Sequence, residues 1–221
     1  VVLEPTDPSN AGMIRIPEGK VGRLIGMTIE PTENWQTLVP EFLMDRFEVT
    51  NRDYQEFVDA GGYDNPEFWT DEFAINGQPK SFDDAMKLFV DTSGRPGPST
   101  WEVGSYQTGL DEFPVQGVSW YEARAYARFR GKELPTLYHW LRARSVPGVD
   151  LLSEYISNSN INKQEYLRVG KSRGVSLFGL YDLFGNVAEW MVNSLGTQKL
   201  SLGGAVEDQE YFANHATSAD S

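Results

Sequence analysis

Apolar and polar positions alternate in short runs along this chain, and the runs are separated by long irregular stretches. Met13-Ile-Arg-Ile-Pro17 alternates and predicts a strand. Residues 17–37 are rich in Gly and Thr and predict a loop or irregular hairpin, and Leu38 to Phe47 carries a second strand. Thr50-Asn-Arg-Asp53 has the form of a capping box with Asp in place of Glu. Tyr54, Phe57 and Val58 follow at helical spacing, and Gly61-Gly62 stops that helix. Glu48-Val-Thr-Asn51 is therefore expected to be structural: a strand end, a cap and a first turn. Ser81-Phe-Asp-Asp84 is expected to cap a short helix through Phe89. Ser119-Trp-Tyr-Glu122 is a complete capping box, followed by the helical stripe Ala123, Tyr126, Ala127 and the stop Gly131. Thr136 opens a third helix, Leu137 to Ala143. There His139 stands where a box needs its carboxylate, so the reciprocal half of that box is expected to be lost.

The densest pattern lies in Gly179-Leu-Tyr-Asp-Leu-Phe-Gly-Asn-Val-Ala-Glu-Trp-Met-Val-Asn193. Its centre, Asp182 to Asn186, reads as a turn, because Gly and Asn best tolerate a left-handed backbone. Val187 to Val192 reads as a strand buried on both sides. A turn held this tightly by aromatics is stiff. Its carbonyls and the carboxylates of Asp182 and Glu189 could then converge on a hard cation. The alternative is an Asx-turn acid at Asp182, a solvated strand-edge acid at Glu189, and no ion.

Composition narrows the picture. With 221 residues, 40% hydrophobic and 13% aromatic, the chain suits one domain with a real core. The 21 Gly and 12 Pro, with little long helical periodicity, suggest a loop-rich α+β fold. The net charge of -13 and pI near 4.6 oppose phosphate backbones and anionic lipid, so nucleic acid is not an expected partner. No window resembles a membrane span, and the N-terminus does not resemble a signal peptide. The compartment stays open, and an extracytoplasmic part of a membrane-tethered protein is compatible with it. The absence of Cys excludes disulfides, thiolate metal sites and Cys nucleophiles within these residues. Residues 1–11 are polar with two Pro, as in a linker, and residues 12–221 read as one domain, expected to be excised from a longer protein. Residues 63–112 read as an acidic, aromatic insertion.

These residues also resemble a known family. Gly179 to Trp190 is similar to the signature of the formylglycine-generating-enzyme, or sulfatase-modifying-factor, domain. Met13 to Pro17, Asp45 to Asn51, Phe113 to Trp120, Lys132 to Thr136 and Gly203-Gly204 resemble its other motifs in the family's order. The resemblance implies a complex α+β domain of the C-type-lectin-like kind with little regular secondary structure. The run Asp45 to Tyr63, with the insertion ending Gly94 to Trp101, resembles variants fused to bacterial serine/threonine kinases. It implies a structural calcium ion held by Asp182, Gly185, Val187 and Glu189, and a weaker second calcium site at Asn160 and Ile161. Copper is not expected: the family's two thiol positions fall on Asp208 and Ala213, and copper(I) without thiolate loses its soft ligands. The function implied is a non-enzymatic binding module of a larger bacterial signalling or surface protein, fused to other domains, with a small molecule, peptide or protein as partner. The alternative is an oxidoreductase with a nonheme iron centre, for which His139, His215 and Asp208 are the available ligands. Trp69, Trp101 and Tyr106, with Phe68, are candidates for one wall of a ligand groove. Asp208, Tyr211, Phe212 and His215 are candidates for the other. The alternative is that these aromatics pack against the core.

Overall fold

The computed structural model describes residues 12–21, 37–75, 78–145, 149–163, 165–196, 198–206 and 217–219. Their architecture is α+β, with short helices and small antiparallel sheets joined by long ordered loops. Strand β1 (Met13–Ile16) pairs with β4 (Phe42–Asp45), and β2 (Gly19–Val21) pairs with β3 (Thr37–Val39). The expected second strand is thus two strands broken at Pro40, a residue that cannot donate to a ladder. The third sheet is the hairpin β5 (Phe73–Ile75) with β6 (Gln78–Lys80). The fourth orders β7 (Glu189–Leu195), β8 (Gln198–Leu202) and β9 (Thr217–Ala219). β7 begins at Glu189 and its flank is not uniformly buried, because Ala188 is exposed. Linker residues 1–11 lie outside the described residues.

The helices start where their caps predict. Thr50 accepts from the Asp53 amide and Asp53 answers to the Thr50 amide, opening α1 (Asn51–Asp59). Ser81 caps α2 (Phe82–Met86), which ends sooner than Phe89. Ser119 and Glu122 make a reciprocal box for α3 (Trp120–Phe129). At α4 (Leu137–Ala143) the box survives the loss of its carboxylate. His139 Nδ1 accepts from the Thr136 amide at 3.3 Å, while Thr136 Oγ1 accepts from the His139 amide at 3.2 Å. An unprotonated imidazole nitrogen is an acceptor and can stand in for the carboxylate. The remaining helix is α5 (Val149–Asn158). Among the described residues no helix is long and apolar enough to cross a membrane.

Two cores result. One gathers Ile16, Trp140, Leu141, Leu180, Phe184 and Met191 from β1, α4, β7 and the Leu180–Phe184 segment. The other is aromatic and lies under α1 and α3, with Tyr54, Phe57, Trp69, Trp101 and Trp120. The Trp120 indole donates to the Met191 carbonyl at 2.7 Å and ties the two together. The expected insertion, residues 63–112, supplies much of the second core. Trp69 and Trp101 are 6% and 2% exposed, so their large apolar faces are spent on packing and are unavailable to a groove. Their indoles donate to the Gly62 carbonyl and to Asn51 Oδ1. Phe68 and Tyr106 pack against the same cluster.

Asp91 organises the far loop of this segment. Its carboxylate accepts from the Ser93 hydroxyl and from the amides of Ser93, Arg95 and Gly104. Burial opposes its ionisation, but the Ser93 hydroxyl and those amides outweigh burial and hold it down at about 2. A depressed acid stabilises the fold above its unfolded value and loses that contribution as pH falls through the folded one. Asp91→Ala is expected to cost about 2–4 kcal/mol at neutral pH, because four donors lose a charged acceptor. Urea unfolding at pH 7 and near pH 2 checks it: the gap between wild type and variant should shrink toward the acid end.

Candidate functional site

The central turn is built from both halves of the chain. The Tyr181 amide donates to the Arg46 carbonyl, Gly185 to Gly203, and Asn186 to the Asn160 carbonyl at 2.8 Å. Asp182, Gly185 and Asn186 all have positive φ, at 59°, 77° and 61°. Asp and Asn tolerate this through local side-chain bonding, and Gly through its missing Cβ. At Gly185 space is also required: a Cβ there would lie 2.3 Å from the Asn160 carbonyl oxygen.

Asn186 is fully buried, and every polar atom of its side chain is used. Nδ2 donates to Glu48 Oε2 at 2.6 Å and to the Leu167 carbonyl at 3.2 Å. Oδ1 accepts from Asn160 Nδ2 and from the Leu167 amide, both at 2.9 Å. The second oxygen of Glu48 accepts from the Val187 amide at 3.1 Å. Asp182 accepts from the Ser172 hydroxyl and from the Gly170 amide. Glu189 accepts from the Trp140 indole at 2.7 Å. Asn160 is buried as part of this network, and Ile161 packs in the first core.

Three acids, Glu48, Asp182 and Glu189, are thus brought within electrostatic reach of one another. Burial pushes the Glu48 carboxyl well up, the charges of Asp182 and Glu189 add to it, and Asn186 offsets part. Burial raises Glu189 to about 7 against the Trp140 hydrogen bond, with Asp182 adding to the rise. Burial also raises Asp182 against its Ser172 and Gly170 donors. Among the described residues no Lys or Arg forms an ion pair with any of the three. Nearby, the Tyr155 hydroxyl is buried without a hydrogen-bond partner among the described residues, and burial with the charges of Glu189 and Asp182 pushes its pKa up and keeps it neutral. Gly185 is buried, and no described donor is paired with its carbonyl or with that of Val187. The result is a locally oxygen-rich turn, a composition suited to a hard cation bound through carboxylates and carbonyls. Among the described residues no three His, Cys, Asp or Glu side chains converge as a metal-ligand set on their own. His139 is committed to its helix cap, and Asp208, Tyr211, Phe212 and His215 lie outside the described residues.

Beside this turn a cleft opens between β4, the C-terminal end of α3 and the segment Val187–Trp190. It comprises an apolar chamber of about 450 Å³ and a polar space of about 420 Å³. Glu48, Asp45, Phe47, Tyr126, Arg130 and Lys132 line both. Trp69, Trp101 and Tyr106 line neither.

Sequence reasoning missed Glu48, which looked like a strand end. No local pattern reveals it, since its partner Asn186 is 138 positions away. Trp140 was missed for the same reason, its partner Glu189 lying 49 positions away.

Comparison with known proteins agrees with this architecture. Residues 2–218 match the family described as Sulfatase-modifying factor enzyme 1-like domain. Hercynine oxygenase of Mycolicibacterium smegmatis is 29% identical over 71% of this chain and 38% of its own. Inactive C-alpha-formylglycine-generating enzyme 2 of Bos taurus is 30% identical over 70% of this chain and 60% of its own. Serine/threonine-protein kinase Pkn1 of Chlamydia trachomatis is 29% identical over 69% of this chain and 23% of its own. The chain therefore spans less than two thirds of each. Among solved structures, CarF superposes with a TM-score of 0.54 at 19% identity, covering 94% of this chain and 92% of that one. At that identity the likeness speaks for the fold alone. The signature turn, the ordered motifs and the match across nearly the whole length make this chain a member of the sulfatase-modifying factor enzyme 1-like domain family.

Proposed function

We propose that the domain is a non-catalytic binding module of a larger bacterial signalling or surface protein, with a structural calcium ion at its central turn. The observation that carries the non-catalytic reading is the absence of any Cys, with Asp208 and Ala213 at the family's thiol positions. The kinase-fused and inactive relatives are in keeping with it. Calcium would be held by the carboxylates of Asp182 and Glu189 and the carbonyls of Gly185 and Val187. It would supply the positive charge that the buried acids lack. Asn160 and Ile161, the weaker second candidate pair, are committed to the turn network and the core.

Because such an ion binds only the folded chain, it stabilises by mass action. At about a hundredfold excess over its dissociation constant, calcium should raise the melting temperature by about 5–10 °C over chelator. Glu189→Gln should blunt that response. A melting curve indifferent to both calcium and chelator rejects the ion. Incubation with a sulfatase-type cysteine peptide, read by mass spectrometry, is expected to leave the cysteine unchanged, and aldehyde formation would reject the non-catalytic reading. The second reading, an oxidoreductase with nonheme iron, is favoured by the hercynine oxygenase relatives. Stoichiometric iron in the purified full-length protein would decide for it.

A further inference from the structure

We propose that the cleft beside the central turn binds an amphipathic carboxylate, a ligand with an apolar body and one anionic head. This rests on the reading of the domain as a binding module and names the class of ligand.

The first observation is the chamber. Phe42, Val49, Val118, Tyr126, Leu134 and Trp190 are among its walls, and its volume of about 450 Å³ falls within the ~300–1,000 Å³ of small-molecule sites. A concave, mostly apolar space with a few polar groups at one end suits an alkyl or aryl body, which gains by leaving water.

The second is the polar space that continues from it. Arg46, Arg52, Arg130, Lys132 and Lys171 all line it, although the chain as a whole carries a net charge of -13. Asp45, Glu48, Asp53 and Glu112 line it as well, and Arg52, Arg130 and Lys132 are paired with Glu112, Glu56 and Asp45, so the cations left over are Arg46 and Lys171.

The third is how the charges there are used. Every acid lining the same space is already engaged. Asp45 accepts from Lys132 at 2.6 Å, and Asp53 answers the Thr50 amide in the α1 cap. Glu112 faces Arg168 and Arg52, and Glu48 is held by Asn186 and the Val187 amide. Arg46 and Lys171, by contrast, have no carboxylate partner among the described residues. Among the described residues the Arg46 guanidinium reaches the Gly179 carbonyl, at 3.4 Å, and the Phe47 ring. Both are exposed. The cations outnumber the acids free to meet them, at the mouth of an apolar chamber. A guanidinium presents paired donors that match a carboxylate.

The test is calorimetric titration of the calcium-loaded protein at neutral pH with decanoate, with decyltrimethylammonium as the cationic counterpart of equal chain length. Decanoate is expected to bind at least about tenfold more tightly than decyltrimethylammonium, a difference of about 1.4 kcal/mol. The double reversal Arg46→Glu/Lys171→Glu should weaken decanoate by about tenfold or more. Because both side chains are exposed, an unchanged melting temperature should accompany the loss. Ala123→Trp, which fills the chamber from α3, should abolish binding of both amphiphiles, and Leu134→Trp serves if the first variant does not fold. Failure of decanoate to bind overturns the proposal. So does tighter binding of the ammonium, or decanoate binding unaffected by the reversal. None of these outcomes touches the binding-module reading, which fails instead on stoichiometric iron or on turnover.

Discussion

Asn186→Ala is expected to destabilise the domain by about 3–5 kcal/mol, a large share of the stability of a domain this size. The side chain makes four hydrogen bonds and joins three segments, those of Glu48, Asn160 and Leu167. Its removal leaves the Glu48 carboxyl with the Val187 amide as its one remaining donor among the described residues. A buried carboxyl that loses a partner costs more than the hydrogen bond was worth. Ala must also adopt the φ of 61° that Asn tolerates better. Urea unfolding with an unchanged slope gives the number. A double-mutant cycle with Glu48→Gln separates the pair, and directly bonded residues are expected to couple by about 0.5–3 kcal/mol. A loss below about 1 kcal/mol would mean that the network is an assembly of independent contacts.

Gly185→Ala should be of similar size, about 3–5 kcal/mol, for a steric reason. The added methyl would sit 2.3 Å from the Asn160 carbonyl oxygen and 2.7 Å from the Ile161 amide nitrogen, both backbone atoms that cannot swing aside. The φ of 77° adds strain for any L-residue with a Cβ. The substitution should separate the turn from the Asn160 segment and reduce any calcium response together with stability. A calorimetric scan of the variant with and without calcium measures both. A variant as stable as wild type would show that the backbone can open at this turn without cost.

The two predictions concern the same joint. Asn186 and Gly185 hold the Asn160 segment against the turn, and Glu48 holds the chain entering α1 against it. This joint also forms one wall of the cleft, through Val187 and Glu189. A ligand in the cleft and an ion at the turn would therefore act on one piece of backbone.

Much was legible in the sequence because it was local. The caps at Thr50, Ser119 and Thr136 lie within four residues of the groups they satisfy, and all three helices begin where those caps predict. The turn at Asp182–Asn186 was legible from its Gly and Asn, and all of its positive φ values fall on residues that bear them. Even at Thr136 the local rule held in a modified form, since an imidazole nitrogen accepts as a carboxylate would.

What tertiary structure alone decided was long-range. The aromatics of residues 63–112 had two open roles in the sequence, groove wall or core, because amphipathic rings serve both equally well. Trp69 and Trp101 became core because they pack with the apolar residues of α1 and α3. Glu48 looked like the end of a strand, and only the approach of Asn186 from the other end of the chain made it a buried acid. The cleft arises the same way, where β4, α3 and the turn meet. Caps and turns follow from the free energy of a few neighbouring bonds. Burial, charge neighbours and cavities depend on which distant segments share a face, and that is set by the packing of the whole chain.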